Sequence, residues 1–116
     1  MTETFETILL EKKGAIAIIT MNRPDKLNAC STRMYNDIDK ALNIIEVDDD
    51  IRAVIITGSG EKAFSAGADL EELNFANLKE STDYIAIDAK AFRHLENIPQ
   101  PVIAAVNGAA IGYGCK

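Results

Sequence analysis

Tryptophan is absent from this 116-residue chain, histidine occurs once, and there are only two cysteines and three prolines. Cys30 and Cys115 lie far apart, with no zinc-ligand spacing around either, so two free thiols in a reducing compartment are expected and no metal site. The twelve basic residues are scattered and the formal net charge is −6, which excludes the clustered Lys/Arg footprint of a nucleic-acid binder. No apolar run approaches the roughly 18 residues of a membrane span. Met1-Thr2-Glu3-Thr4 has neither the basic nor the apolar region of a secretion signal. A soluble cytoplasmic protein is expected, with an imported, processed form as the alternative.

What is present is ordinarily globular: 47% hydrophobic, 26% charged and without a low-complexity tract. The length suits one domain over residues 1–116, and no linker divides it. The densest acidic run, Glu46 with Asp48-Asp49-Asp50, lacks EF-hand spacing and reads as a solvated turn.

Residues 5–12 and 15–21 read as two strands joined by a hairpin at Lys13-Gly14. Ser31 is a good N-cap for an amphipathic helix carrying Met34, Ile38, Ala41, Leu42 and Ile45 at steps of three and four. The apolar run 53–57 reads as a strand buried on both faces. A short extended stretch over 64–68 leads to a helical turn capped by Asp69. A longer helix follows over 81–96, with Tyr84, Ile87, Ala91 and Leu95 on one face and His94 on its surface. Pro99 and Pro101 end that helix, and residues 102–106 form a second buried strand. Strands alternating with helices indicate an α/β class.

Two small-residue bends stand out: Phe64-Ser65-Ala66-Gly67-Ala68-Asp69-Leu70 and Gly108-Ala109-Ala110-Ile111-Gly112-Tyr113-Gly114. Small side chains at the end of a strand leave main-chain N–H groups accessible to a ligand. Facing one another, such bends donate two hydrogen bonds to one carbonyl oxygen, the arrangement of an oxyanion hole. By spacing alone the simpler reading leads: a tight turn packed against a strand for the first bend, close strand–helix packing for the second.

Together with Asn22-Arg23-Pro24-Asp25-Lys26-Leu27-Asn28-Ala29 and Pro99-Gln100-Pro101-Val102-Ile103-Ala104-Ala105-Val106-Asn107-Gly108, the first bend resembles the enoyl-CoA hydratase/isomerase (crotonase) family in order and spacing. The resemblance covers nearly the whole chain, as the N-terminal half of a family member. It implies a spiral of ββα units, here truncated before the C-terminal helical part, and assembly as a trimer or hexamer. The implied partner is an acyl-CoA thioester, with coenzyme A as part of the substrate and no separate cofactor. The implied oxyanion donors are the backbone N–H groups of Ala68 and Tyr113. Ala66, whose carbonyl matches the adenine-binding group, joins Gly67, Asp69, Lys26 and Gly112 as implied substrate-binding residues.

Two departures mark the sequence. Tyr113 brings a ring where the family has glycine, and Lys116 stands where the family's first glutamate falls. Hydration needs a base for water and an acid for the alpha carbon, so the resemblance predicts acyl-CoA binding more strongly than turnover. Arg23 and Lys62 lie in loops near these motifs, and Glu71 and Glu72 follow the first bend. Arg23, Lys62 and Lys26 are candidates for CoA phosphates, Glu71 and Glu72 for the acyl pocket, against the simpler reading of a solvated surface. A non-catalytic module that binds acyl-CoA or a partner chain is the alternative. A dinucleotide-binding domain is weaker: Gly58-Ser59-Gly60-Glu61-Lys62-Ala63 fits G-x-G-x-x-A but does not open a helix at once.

Overall fold

The computed structural model describes residues 2–74 and 77–115, without the side chains of residues 2–4, Asn74, Tyr113 and Cys115. Strand β1 (Thr2–Thr4) pairs antiparallel with β2 (Ile8–Lys13), which forms a hairpin with β3 (Ile16–Met21). Gly14 turns that hairpin at φ +60°, a left-handed value that glycine adopts without a Cβ penalty. Strand β2 begins later than residue 5 because the Thr7 N–H and hydroxyl are both taken by the Asp37 carboxylate, at 3.1 and 2.6 Å.

Helix α1 (Thr32–Glu46) is capped by Ser31, whose hydroxyl accepts from the Met34 N–H. It buries Met34, Ile38, Ala41, Leu42 and Ile45 against the alternate residues Ile8, Leu10, Ala17 and Ile19 of the hairpin. Strand β4 (Ala53–Gly58) then pairs parallel with β3. Beyond it come β5 (Ala63–Ser65), α2 (Leu70–Asn74) and α3 (Leu78–Asn97). Strand β6 (Val102–Ala105) returns parallel to β4, completing a sheet of order β1-β2-β3-β4-β6. Strand β7 (Ala109–Ala110) pairs with β5 in a separate two-stranded sheet and runs into a 3-10 turn, Gly112–Cys115.

Helix α3 starts three residues before the position the sequence suggests, because the Asn77 side chain caps it by accepting from the Glu80 N–H at 2.8 Å. Tyr84 and Ala91 are buried as expected, with Asp88 beside them, while Ile87 and Leu95 are half-buried. His94 is not a free surface residue. Its side chain is 16% exposed, with Nδ1 2.7 Å from Asp39 and Nε2 3.2 Å from Glu46, and it ties α3 to α1. The acidic run forms a turn in which Asp48 meets Lys12 at 3.0 Å.

Two strands depart from the expectation of burial on both faces. In β4, Val54 and Ile56 are buried while Ala53, Ile55 and Thr57 are half-buried. In β6, Ile103 is 55% exposed and Ala104 and Ala105 are exposed. The cause is layering. Helices α1 and α3 pack on one another, and α1 packs on the hairpin strands β2 and β3. Among the described residues no helix covers the opposite face, where Ile18, Ile55 and Ile103 lie in register, and β6 is the sheet edge. No helix among the described residues is long and apolar enough to cross a membrane.

Candidate active site

Of three sequence stretches far apart in the chain, the second carries β5 and the first and third converge on it. In the first, Pro24 opens a 3-10 turn (Pro24–Lys26), and Leu27 and Asn28 follow at φ +52° and +55°. Asn28 is fully buried. Its Nδ2 donates to the carbonyls of Ser59 and Ala63, both at 3.1 Å, and its Oδ1 accepts from the Arg23 N–H at 2.9 Å. The Asn28 carbonyl accepts from the Ser65 hydroxyl at 2.9 Å, and that hydroxyl in turn accepts from the Gly67 N–H at 3.1 Å.

From the third stretch, Asn107 accepts from the Gly58 N–H at 3.0 Å and donates to the carbonyls of Gly60 and Ala63 at 2.9 and 3.2 Å. Two side-chain amides therefore hold the start of β5 from either side. Close packing adds to this. A Cβ on Gly58 would lie 2.6 Å from the Phe64 carbonyl oxygen, and one on Gly108 would lie 2.7 Å from the Lys62 carbonyl. The G-x-G-x-x-A stretch accordingly bends into a strand instead of opening a helix, which removes the dinucleotide reading.

The bend after β5 is fixed from one side only. Cys30 forms an isolated parallel bridge with Ala68: the Cys30 N–H donates to Gly67 O at 2.7 Å, and the Asp69 N–H donates to Cys30 O at 3.1 Å. In a parallel pairing the flanking residues use their groups toward the partner, so Ala68's own N–H points away from Cys30. Among the described residues that N–H meets no acceptor, and Ala68 is only half-buried. The Cys30 carbonyl also accepts from the Tyr84 hydroxyl, which anchors α3 here. Burial pushes the Cys30 thiol above its ordinary pKa and raises Tyr84 to about 12.

Arg23, weighed earlier for ligand phosphates, is committed internally. Its guanidinium donates to Ala29 O at 2.7 Å and pairs with Asp69 at 3.0 Å. Asp69 also accepts from the N–H groups of Glu71 and Glu72, at 3.1 and 3.2 Å, closing the first turn of α2. Burial opposes the charge on Asp69. The Glu72 N–H and the Arg23 guanidinium outweigh it, and the carboxyl is held below its usual range. Glu72 accepts from the N–H and hydroxyl of Thr32. Lys26 pairs with Glu71 at 3.1 Å in the open, and Glu71 raises its pKa. Lys62 is exposed.

The second bend meets the first through β7. Ala63 pairs with Ala109 and Ser65 with Ala110, in parallel, so both chains run on in the same direction. Ala68 and Tyr113 are each the third residue past the Ser65–Ala110 pair, and each follows a glycine at positive φ: Gly67 at +95°, Gly112 at +55°. The Ile111 N–H donates to Ser65 O at 3.1 Å, and a Cβ on Gly114 would collide with that same carbonyl. A groove of about 890 Å³ lies between α3 and β6 and reaches Ser65, Ala110 and Gly114 at one end; Ala68 is not part of its lining. The Tyr113 ring and Lys116 lie outside what the structure describes.

Residues 11–116 match the sequence model of the family described as enoyl-CoA hydratase/isomerase. The chain belongs to the enoyl-CoA hydratase/isomerase family. It is 45% identical over 109 residues to a short-chain-enoyl-CoA hydratase of Clostridium acetobutylicum, covering 94% of this chain and 42% of that protein. It is 43% identical over 115 residues to the mitochondrial enoyl-CoA hydratase of Pongo abelii, covering 97% of this chain and 39% of that one. The solved enoyl-CoA hydratase of Bacillus anthracis superposes with a TM-score of 0.91 at 34% identity, over 94% of this chain and 43% of the other. These likenesses establish the α/β crotonase fold expected from the motifs. The chain spans about two fifths of the length of these relatives.

Asn28 and Asn107 are the residues that sequence reasoning passed over. The available signal was an Asn second to last in each of two family motifs, but nothing in one sequence says that both amides bind the same strand.

Proposed function

We propose that this enoyl-CoA hydratase/isomerase family chain binds acyl-CoA thioesters and polarises their carbonyl with the main-chain N–H groups of Ala68 and Tyr113. The observation that supports the reading is the parallel Ser65–Ala110 pairing, from which both glycine-led bends depart three residues before Ala68 and Tyr113. A proton alpha to a thioester is weakly acidic. Two preorganised donors at about 2.7–3.1 Å from the developing oxyanion lower the cost of the enolate, and losing one such donor costs roughly 3–4 kcal/mol in a hydrolase. Backbone donors suit this task because fixed peptides need no reorganisation as charge develops.

In this reading the Ala66 carbonyl, Gly67 and Asp69 form the ligand side of the first bend, Gly112 that of the second, and Lys26 faces the phosphates. Coenzyme A enters as part of the substrate, and no separate cofactor is needed. The chemistry is of the hydratase/isomerase type, and a homo-oligomer is expected, a trimer or hexamer where the full-length family assembly forms. Because Lys116 occupies the expected glutamate position, the 116 residues by themselves are expected to bind without turning over. Calorimetry with crotonyl-CoA, paired with an absorbance assay of its hydration, tests this. Binding without loss of the enoyl absorbance is the expected result; absence of binding would end the acyl-CoA reading.

A further inference from the structure

The two cations of the first loop are engaged differently by the acids after the first bend. Arg23 and Asp69 form a pair whose side chains are 19 and 12% exposed, and both make further hydrogen bonds. Lys26 and Glu71 form a pair whose side chains are 47 and 67% exposed. The Lys26 ammonium has this carboxylate as its one ion-pair partner among the described residues, with Asp25 and Asp69 adding weaker fields. The pair straddles the Ala66–Gly67–Ala68 bend. On one flank the Leu27 carbonyl, next to Lys26, accepts from the Ala66 N–H at 2.9 Å, and on the other Glu71 sits in the first turn of α2.

We infer that Glu71 is a displaceable counter-ion that holds Lys26 until the phosphates of a nucleotide-bearing acyl thioester replace it, so that Glu71 tempers the preference Lys26 gives acyl-CoA over acyl thioesters lacking the nucleotide. This rests on the acyl-thioester reading above. An exposed ion pair is weak enough to exchange. Phosphate offers Lys26 more charge than a carboxylate does, and the released Glu71 returns to water at little cost. Glu71 then stands near the bound phosphates and repels them, so the residue weakens the charged ligand and leaves an uncharged one untouched. The buried Arg23–Asp69 pair cannot exchange in this way, which leaves the bend intact while Lys26 changes partner.

The test is calorimetric affinity of the 116-residue chain for crotonyl-CoA and for crotonyl-pantetheine, in the wild type, Glu71→Gln, Lys26→Gln and the double variant. Glu71→Gln is expected to tighten crotonyl-CoA by about two- to fivefold, the range set by an exposed pair, and to leave crotonyl-pantetheine unchanged. Lys26→Gln is expected to weaken crotonyl-CoA and, in the double variant, to abolish the gain. Equal or weaker binding of crotonyl-CoA to Glu71→Gln, or the same gain for crotonyl-pantetheine, overturns the counter-ion role while the acyl-thioester reading stands. Failure of every protein to bind either thioester overturns both.

Discussion

Asp69 shows how one side chain ties two distant motifs together. Its carboxylate closes α2, holds Arg23 and thereby fixes the residue that follows Ala68. Its folded pKa is depressed, so its contribution is present above the ordinary carboxylate pKa of about 3.9 and is lost as pH falls through the folded value. We expect Asp69→Asn to cost about 2 kcal/mol at neutral pH, the scale of a partly buried charge-assisted hydrogen bond. The variant should also flatten the loss of stability in acid. Urea unfolding at neutral and acid pH measures both, and parallel profiles for the two proteins would contradict the role given to Asp69. At this scale the sequence was only partly informative. Asp69 as a cap was readable from its place before a short helix. The partnering of Arg23 was not, because Arg23 and Asp69 lie in different motifs and only the fold brings them to 3.0 Å.

Among the elements, β5 and β7 decide the geometry. Each is too short to be stable alone, and each is held by contacts from outside: Asn28 and Asn107 on β5, and Gly114 against the Ser65 carbonyl. A Gly114→Ala substitution must push the 3-10 turn off β5 and is expected to weaken crotonyl-CoA at least about tenfold, as loss of an oriented donor would. Gly14→Ala is the control. It faces open space at φ +60°, so it should lose about 1 kcal/mol of stability through backbone strain and leave binding unchanged. Equal effects of the two on binding would detach the β5–β7 contact from the site. The hairpin, α1 and its cap were legible because periodicity, Ser31 and Gly14 are local signals. The burial of β6 was misjudged because an apolar run reports that a strand can be covered, and not what covers it.

For the molecule as a whole, the apolar ladder Ile18–Ile55–Ile103, the free edge of β6 and the groove beneath α3 leave apolar surface open among the described residues. Val106 and Ile111, each 59% exposed, extend it. Such surface marks an interface, and an unpaired strand edge adds the means to extend a sheet. The 116-residue chain is therefore expected to associate with itself, and Ile103→Lys to reduce that association. Sedimentation velocity reads both; a compact monomer at the highest soluble concentration would contradict the expectation.

We propose that two main-chain N–H groups, from Ala68 and Tyr113, meet on one thioester oxygen. Isotope-edited infrared spectroscopy of crotonyl-CoA carrying a carbon-13 carbonyl addresses it directly. The carbonyl stretch is expected to move to lower frequency on binding and to return toward its free value in Gly114→Ala. A carbonyl band unchanged between free and bound thioester, with binding demonstrated in the same sample, would contradict it.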